Sequence, residues 1–552
     1  MGEVITIDNF TSRMSPFDGT KNALYALVDM GSNGIRFSIS DLSPPRSRLL
    51  HCIYRERAGI SLYDALHEET PDSKPFHFSQ NTISQVSQTL ARFRGICDSY
   101  GVPGEHTQVF ATEAMRTAEN RDAMLRAIKG ASGLTVDILS PGMESLFGAM
   151  GARSGFDHVD GLFMDLGGGS VQMTYVNSKE EDDYDILAAE AAKSMPYGAA
   201  KLTAALSTQA TAHSTKTELK TMMKETFEGM KKKFPQLNAQ IQHKEGVTIY
   251  FCGDPIQPYP IPAIGGYTVP GSRFVRWDQM LKANGYDGKI YGLSKRRRDQ
   301  FPAIVTVVQA LIEAVPIINK VIFCSGGNRE GVLYMKLPPD VRESHPGPFL
   351  PGTQSSEHGI VHAVVDKLTS ALPTDKYPPV FSASLLHYVA RNIWIDMGDP
   401  ADANSAKALH TPISGSLAGL PGLDHQSRAI LALTMCARWG TDIGPIDKIL
   451  FSNLRLLIGA ELSWWCDYIG TTSRLLGTVI PVSPTSVKDS DIVSLHSSTS
   501  AGLGKKGHKI GIRLRIKLVK KGGADGLAAM FNSVGKNLSL DWKVEAEVED
   551  LQ

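Results

Sequence analysis

Apolar runs in this chain repeatedly end on an aspartate and a glycine-rich turn. In ALYALVDMGSNGIRFSIS, residues 23–40, an apolar strand reaches Asp29, turns through Gly-Ser-Asn-Gly and leaves as a second strand. FMDLGGGSVQMTY, residues 163–175, repeats the plan with Asp165 and three successive glycines. Two matching hairpins predict a duplicated core whose halves face each other across a cleft. Between them the periodicity alternates: a helix over 81–101, a strand and turn over 107–116, a helix over 120–133 ending at glycine, a strand over 134–141 and a helix over 142–155. Beyond the second hairpin come a helical stretch near 196–206, a charged helix over 216–234, a strand over 246–253, a proline-rich turn over 254–262 and a helix from about 300 to 314. NKVIFCSGGNREGVLY, residues 319–334, closes the region as strand, glycine turn and helix start. Strand and helix alternation of this kind predicts an α/β domain.

Residues 338–358 are dense in proline, glycine and serine and read as a linker. The pattern after them is mainly helical to about 478, with SRAILALTMCARWG a buried helix. From 482 the period changes to two: KIGIRLRIKLVKK alternates apolar with basic residues, and DWKVEAEVED alternates apolar with mostly acidic ones. The expected division is therefore 1–158 and 159–345 as two lobes, 346–481 as a helical domain and 482–552 as a β-rich tail.

Charge narrows the partners. Lysine plus arginine and aspartate plus glutamate each number 57, so nothing pulls the whole molecule towards nucleic acid or an anionic membrane, and an anion site has to be local. The basic alternating strand has an acidic one to pair with, so direct nucleic-acid binding is not expected. KRRR at 295–298 reads equally as a nuclear-import patch or as the exposed first turn of a helix after Ser294. The six cysteines are far apart and form no CxxC pair, which argues for reduced thiols and against a zinc or disulfide framework. The first residues lack the features of a signal peptide, and no apolar run reaches membrane-spanning length. Gly2 and Thr6 match a myristoylation pattern without a second membrane signal, so no anchoring is expected. Walker, GxGxxG, HExxH and GxSxG elements are all missing, which disfavours a P-loop NTPase, a dinucleotide dehydrogenase, a zincin and an α/β-hydrolase.

The turns carry the candidate chemistry. Asp29 on one wall and Asp165 on the other suit Mg²⁺, which takes one or two carboxylates together with phosphate oxygens and water. The glycine turns can present backbone N–H groups, with Ser32, Asn33 and Ser170 adding side-chain donors. Each turn taken alone is also an ordinary hairpin. Glu144, at the start of a helix, reads either as helix-terminus stabilisation or as a general base that orients water for attack on phosphorus.

With those residues in view, the chain resembles the exopolyphosphatase and guanosine pentaphosphate phosphatase (Ppx/GppA) family, a branch of the actin, Hsp70 and sugar-kinase superfold. DMGSN resembles its first phosphate loop, FATEAMRTAEN its ATxAxRxAxN segment, DLGGGS its second phosphate loop and SGGNREGVLY its closing glycine motif; MPYGAAKL and RESHP also match. The likeness spans roughly 23–345. It implies an actin-like, RNase H-like two-lobed core, with the water-activating role on Glu144, phosphate binding on Arg116 and the metal on Asp29 and Asp165. Gly31, Ser32, Asn33, Thr112, Gly167, Gly168, Gly169, Ser170, Gly326 and Gly327 fall where that family binds phosphate or nucleotide. Mg²⁺ is the implied cofactor, with ATP, polyphosphate or another polyphosphorylated small molecule as ligand. Within the family the chain is most similar to fungal regulators that carry signals from impaired mitochondria to nuclear genes, which implies regulatory protein partners and a cytoplasmic location extending to the nucleus.

Departures from the family pattern bear on activity. Its second loop usually continues as GGGST and then glutamate, whereas here GGGSV is followed by Gln172, which neither takes a proton nor binds Mg²⁺ as a carboxylate does. A loop and helix start usual in relatives are missing around Cys252 to Pro255. The expectation is therefore a ligand-sensing regulator, with a working phosphoanhydride hydrolase as the alternative. LDHQSRAI lacks the metal-binding His-Asp pair of an HD domain, so no second metal site is expected.

Overall fold

A computed structural model of the chain describes residues 4–13, 17, 22–67, 76–179, 183–253, 265–286, 288, 295–344, 358–374, 377–381, 383–418, 420–519 and 526–550. Gly2, the 254–262 turn including Pro255, Ser294 and residues 345–357 of the linker lie outside that set. The chain divides into two compact units, Met1–Ser344 and His345–Gln552.

The first unit is built on two six-stranded sheets. One contains β1 (Val4–Ile5), β2 (Leu24–Gly31), β3 (Gly34–Asp41), β4 (His51–Ala58), β5 (Thr107–Ala111) and β6 (Val136–Leu139), in the spatial order β1-β6-β5-β2-β3-β4. The other contains β7 (Asp160–Leu166), β8 (Val171–Asn177), β9 (Lys193–Met195), β10 (Val247–Gly253), β11 (Tyr267–Pro270) and β12 (Ile318–Phe323), in the order β11-β12-β10-β7-β8-β9. The two orders match position for position. Each sheet has a three-stranded antiparallel meander, β2-β3-β4 or β7-β8-β9, followed by two parallel crossover strands. Only the outermost strands differ, β1 running parallel to β6 and β11 antiparallel to β12. This is the duplicated α/β core that the paired hairpins predict, in the actin-like form that the resemblance implies.

Strands such as β8 are buried along their whole length because helices cover both faces of each sheet. Helices Gln80–Tyr100 and Arg121–Ser132 close the outer face of the first sheet through Leu90, Phe93 and Ile128. Helices Gln209–Lys233 and Lys295–Ala314 do the same for the second through Met223, Phe227 and Val307. A third core lies between the sheets, where Leu27 and Phe110 of one and Phe163 and Tyr250 of the other pack around helices Pro141–Arg153 and Asn328–Lys336.

Those two central helices touch through glycine. A Cβ on Gly151 would overlap the Gly327 carbonyl, and a Cβ on Gly331 would overlap the Phe147 carbonyl. At the far end of the same core, Arg48 and Arg153 are fully buried. Arg48 donates to the carbonyls of Ser154 at 2.9 Å, Phe156 at 3.0 Å and Ser344 at 3.2 Å, and Arg153 donates to Phe156 O at 2.7 Å and Glu343 Oε2 at 2.9 Å.

One helix begins earlier than its periodicity indicates, at Lys295, and carries Pro302 within it. Proline offers no N–H to the carbonyl four residues back. Asn284 Nδ2 donates to that Arg298 carbonyl at 3.4 Å, and the Arg298 guanidinium binds the carbonyls of Asn284 and Gly288 at 2.8 and 2.9 Å. This arginine of KRRR is thus a clamp on the neighbouring helix end.

The second unit joins helices to a small sheet. Helix His425–Arg438 is buried at almost every position, as its apolar run predicts, and packs on helix Pro445–Val479, which breaks at Gly459 with φ 82°. Strands β13 (Val493–Leu503), β14 (Lys509–Leu518) and β15 (Trp542–Asp550) form the sheet, the basic β14 lying parallel to the acidic β15. Arg513 meets Glu545 at 3.7 Å, Arg515 meets Glu549 at 3.1 Å and Lys517 meets Glu549 at 3.4 Å. Trp542 packs edge-on against Trp464, with centroids 5.1 Å apart, and so ties the sheet to the helices. Among the described residues no helix is long and apolar enough to cross a membrane.

The glycine contact of the central helices sets a stability prediction. Gly331→Val forces the helices apart and should destabilise the first unit by about 3 kcal/mol or more, as overpacking does, seen as a lower midpoint in urea unfolding. The exposed Gly130→Ala, with open space around its Cα, should leave that midpoint unchanged or raise it.

Candidate phosphate and metal site

Both glycine turns have their carbonyls engaged from outside the hairpin. In the first, Ser32 O accepts from Tyr63 N at 3.0 Å and from Ser61 Oγ at 3.1 Å, and Asn33 O accepts from Arg57 Nη2 at 2.8 Å. In the second, the carbonyls of Gly167, Gly168 and Gly169 accept from Ala199 N, Ala200 N and Gly198 N at 2.8, 2.9 and 3.1 Å. These last donors open helix Ala199–Ser207, within MPYGAAKL, and the fit is close enough that a Cβ on Gly198 would overlap the backbone of Gly168 and Gly169. A peptide unit whose carbonyl is pulled one way presents its N–H the other way. Among the described residues no acceptor takes the N–H groups of Ser32, Gly168, Gly169 or Ser170.

The two turns face each other. A Cβ on Gly168 would lie 2.6 Å from Asn33 Cγ, and one on Gly169 would press on the Glu113 carboxylate and lie 3.2 Å from Ser32 Oγ. A Cβ on Gly31 would meet the Gly34 carbonyl at 3.4 Å, an ordinary contact. The third turn is differently employed. Gly327 donates its N–H to Glu330 Oε2 at 3.0 Å, and Gly326, at φ 100°, abuts the Gly151 carbonyl, so these two glycines serve the central helix contact. Thr112 is buried at the N-terminus of helix Glu113–Thr117 and uses its carbonyl to accept from Met115 N and Arg116 N.

Three carboxylates converge below the turns. Asp29 is buried opposite Arg36 in the β2–β3 ladder, and its Oδ1 has no hydrogen-bond partner. Burial pushes its carboxyl above the usual range, against the opposing pull of Arg36, Arg329 and an Asn328 hydrogen bond. Asp165 lies near the end of β7, where the absence of a side chain at Gly148 leaves it room: a Cβ there would stand 3.0 Å from Asp165 Oδ2. Glu144 lies in the first turn of helix Pro141–Arg153, which Ser140 caps by accepting from Met143 N at 3.3 Å. Arg116 Nη2 donates to Glu144 Oε2 at 2.8 Å while its Nη1 donates to Leu139 O at 2.7 Å. Burial raises Glu144 to about 7; Arg116 opposes the rise, and the charges of Asp29 and Asp165 add to it.

Asp29 and Asp165 could hold one Mg²⁺ between them. An orphaned buried carboxylate oxygen in a carboxylate-rich pocket suits a hard cation. Among the described residues no group of three or more His, Cys, Asp or Glu side chains is arranged to hold a metal, so such an ion would take its remaining ligands from water and phosphate. Gln172 stands opposite Asp165 in the β7–β8 ladder and is fully committed: its Nε2 donates to Ser170 Oγ at 2.6 Å and to Ser194 Oγ at 3.3 Å. A void of 10 Å³ between Gln172, Asp165, Ser145 and Cys252 is too small for more than a single water.

Several cleft residues escape sequence reasoning. Glu113, inside ATEAMR, reaches the second turn and accepts from Ser32 Oγ at 3.4 Å. Arg329, in GGNREG, is buried with Nη1 unpartnered, and its charge acts on Asp29. A charged residue at a helix start was the available signal, but helix phase decides which way it points.

Residues 42–339 match the Ppx/GppA phosphatase family and residues 347–539 match the RTG2 C-terminal domain. The chain belongs to the Ppx/GppA phosphatase family. It is 30% identical over 485 residues to retrograde regulation protein 2 of Saccharomyces cerevisiae, the alignment covering 83% of this chain and 81% of that one. Among solved structures, an exopolyphosphatase from Cytophaga hutchinsonii is similar at 18% identity, 56% of this chain, 97% of its own and a TM-score of 0.43. The Aquifex aeolicus Ppx/GppA phosphatase is similar at 21% identity, 57% of this chain, 99% of its own and a TM-score of 0.42.

The raised Glu144 carboxyl makes stability depend on pH. In the unfolded chain it ionises near the ordinary glutamate value of 4.5 and in the folded chain at about 7, so the folded state holds the extra proton between those values. Stability from this group is full below pH 4.5 and is lost as pH rises through 7. Glu144→Gln should remove that dependence and stabilise the fold at pH 8 by on the order of 1–3 kcal/mol, checked by urea unfolding at pH 5 and pH 8.

Proposed function

We propose that this chain is a regulator of signalling from mitochondria to the nucleus, acting in the cytoplasm and extending to the nucleus, whose cleft binds a Mg²⁺-complexed polyphosphorylated ligand and thereby controls partner proteins. The observation that carries the ligand reading is the pair of opposed turns, with every carbonyl of Gly167 to Gly169 tied back to the start of helix Ala199–Ser207. Donors fixed in the main chain suit the oxygens of ATP, polyphosphate or a guanosine polyphosphate. A ligand touching both walls favours the closed arrangement over the open one, and that closure is the switch a partner reads. The regulatory half of the proposal is supported by similarity to a protein named for retrograde regulation over both the Ppx/GppA region and the C-terminal domain.

A second reading, a phosphoanhydride hydrolase, is favoured by Glu144. A carboxyl at about 7 is poised as a general base near neutral pH, and Arg116 holds it in place. Mg²⁺ would neutralise charge on the phosphates. The chain's own residues would orient the terminal phosphate with the turn N–H groups and take a proton from water at Glu144. Gln172 opposes this reading, because its amide is neutral and engaged with Ser170 and Ser194.

Calorimetry of the full chain with Mg²⁺ and ATP, polyphosphate or guanosine pentaphosphate tests the first reading. Asp165→Ala should weaken binding at least about tenfold with an unchanged circular dichroism spectrum; unchanged affinity would sink the assignment. Phosphate release from the same compounds separates the two readings. No release together with retained binding supports a sensor, while release that disappears in Glu144→Ala makes the protein a hydrolase. Gln172→Glu, which adds a carboxylate opposite Asp165, should raise any Mg²⁺-dependent release by roughly tenfold or more, measured under the same conditions.

A further inference from the structure

We propose that Cys252 and Cys324 form a dithiol that a peroxide oxidises to a disulfide, and that this bond perturbs the cleft wall carrying Asp165. Cys252 lies near the end of β10, and Cys324 directly follows β12. The two strands run parallel with Phe251 opposite Phe323, and Cys324 N donates to Phe251 O at 2.9 Å, so the cysteines occupy the next rung side by side. Neighbouring strands run about 4.8 Å apart, within the Cα separations of roughly 4.4–6.8 Å that a disulfide spans. Both cysteines are free, and the Cys324 thiol donates to Ile322 O at 3.5 Å. Adjacency of this kind on two register-paired strands is not needed for packing, since either thiol alone would fill its place.

The position links the pair to the cleft. On its other side β10 pairs with β7, and there Cys252 stands opposite Asp165. Cys324 is followed by Ser325, Gly326 and Gly327, the turn that seats the central helix. Closing a bond of about 2.05 Å between the two sulfurs pulls both strand ends together. The strand neighbouring Asp165 then moves, and the effect on ligand rests on the phosphate-binding reading proposed above.

Access decides the chemistry. Cys252 is 2% exposed whereas Cys324 is half-buried, so Cys324 meets the oxidant first. Its thiolate attacks one oxygen of hydrogen peroxide; the O–O bond breaks, hydroxide leaves, and a sulfenic acid forms. The Cys252 sulfur then attacks Cys324 Sγ, the S–O bond breaks, and water departs as the S–S bond forms. In sum two thiols lose two electrons and two protons, and one peroxide becomes two waters.

The test uses the full chain, reduced and then exposed to hydrogen peroxide, blocked with an alkylating reagent, digested and analysed by mass spectrometry. The expected result is a cross-linked peptide joining Cys252 to Cys324 that dithiothreitol removes. Cys324→Ser should yield no cross-link, and Cys252→Ser should leave a sulfenic acid on Cys324 that dimedone traps. Both residues recovered as alkylated thiols at peroxide doses that oxidise the exposed methionines would overturn the dithiol, whatever the ligand results. Affinity for Mg²⁺·ATP forms the second readout: oxidation should weaken it about tenfold in the wild type and leave Cys324→Ser unaffected. A cross-link with unchanged affinity would overturn the link to the cleft. Absence of Mg²⁺·ATP binding in the reduced protein would overturn that link as well, by removing the ligand reading on which it rests, while a recovered cross-link would still support the dithiol.

Discussion

Everything in the first unit depends on how closely two helices approach. Pro141–Arg153 and Asn328–Lys336 meet with backbone against backbone because Gly151 and Gly331 place no side chain between them. One helix carries Glu144 in its first turn, and the other begins with Asn328, Arg329 and Glu330. The contact therefore fixes the spacing of a general-base candidate, a buried cation and the hydrogen bond to Asp29. Wider packing would also open the core in which Phe147, Phe163, Tyr250 and Tyr334 fill the space between the sheets. Side chains of ordinary size at those glycines would leave the same elements with a different set of charges in register.

Electrostatic strain follows from that closeness. Asp29 and Glu144 both have carboxyls raised by burial, and the charges of Asp29 and Asp165 push Glu144 higher still. Arg116 offsets part of this, with one branch of its guanidinium on Glu144 and the other on a backbone carbonyl. A neutral Gln172 keeps one further negative charge away from Asp165. The cleft is thereby less dependent on a cation for its stability than a four-carboxylate version would be.

What could be read from the amino-acid order was whatever is local. Asp29 and Asp165 precede turns whose glycines declare a close approach, and the strands around them are marked by apolar runs, so the duplicated core was legible. The alternation of β14 and β15 was legible too, and the ion pairs of Arg513 and Arg515 follow from it. Orientation was not. Glu113 and Arg329 look like surface charges at helix starts, and only the tertiary arrangement turns them inward. The 295–314 helix starts at Lys295, as the first-turn reading of KRRR has it, and Asn284 takes up the Arg298 carbonyl that Pro302 leaves without an N–H. Gly326 and Gly327 read as phosphate donors, yet their small size is used against Gly151 and their turn is closed by Glu330.

The way the two turns hold their carbonyls also bears on how such a protein can change over generations. On the reading proposed above, the N–H groups that meet the anion belong to the main chain and survive almost any side-chain replacement short of proline, so that capacity is hard to lose by point substitution. A carboxylate beside Asp165 is different, since glutamate and glutamine differ by one codon base. Recognition and turnover thus sit on parts of the chain with very unequal mutational robustness. On the reading proposed above, a lineage built on this frame would shed chemistry in a single step and keep its grip on phosphate, which would make the fold a ready source of sensors descended from hydrolases.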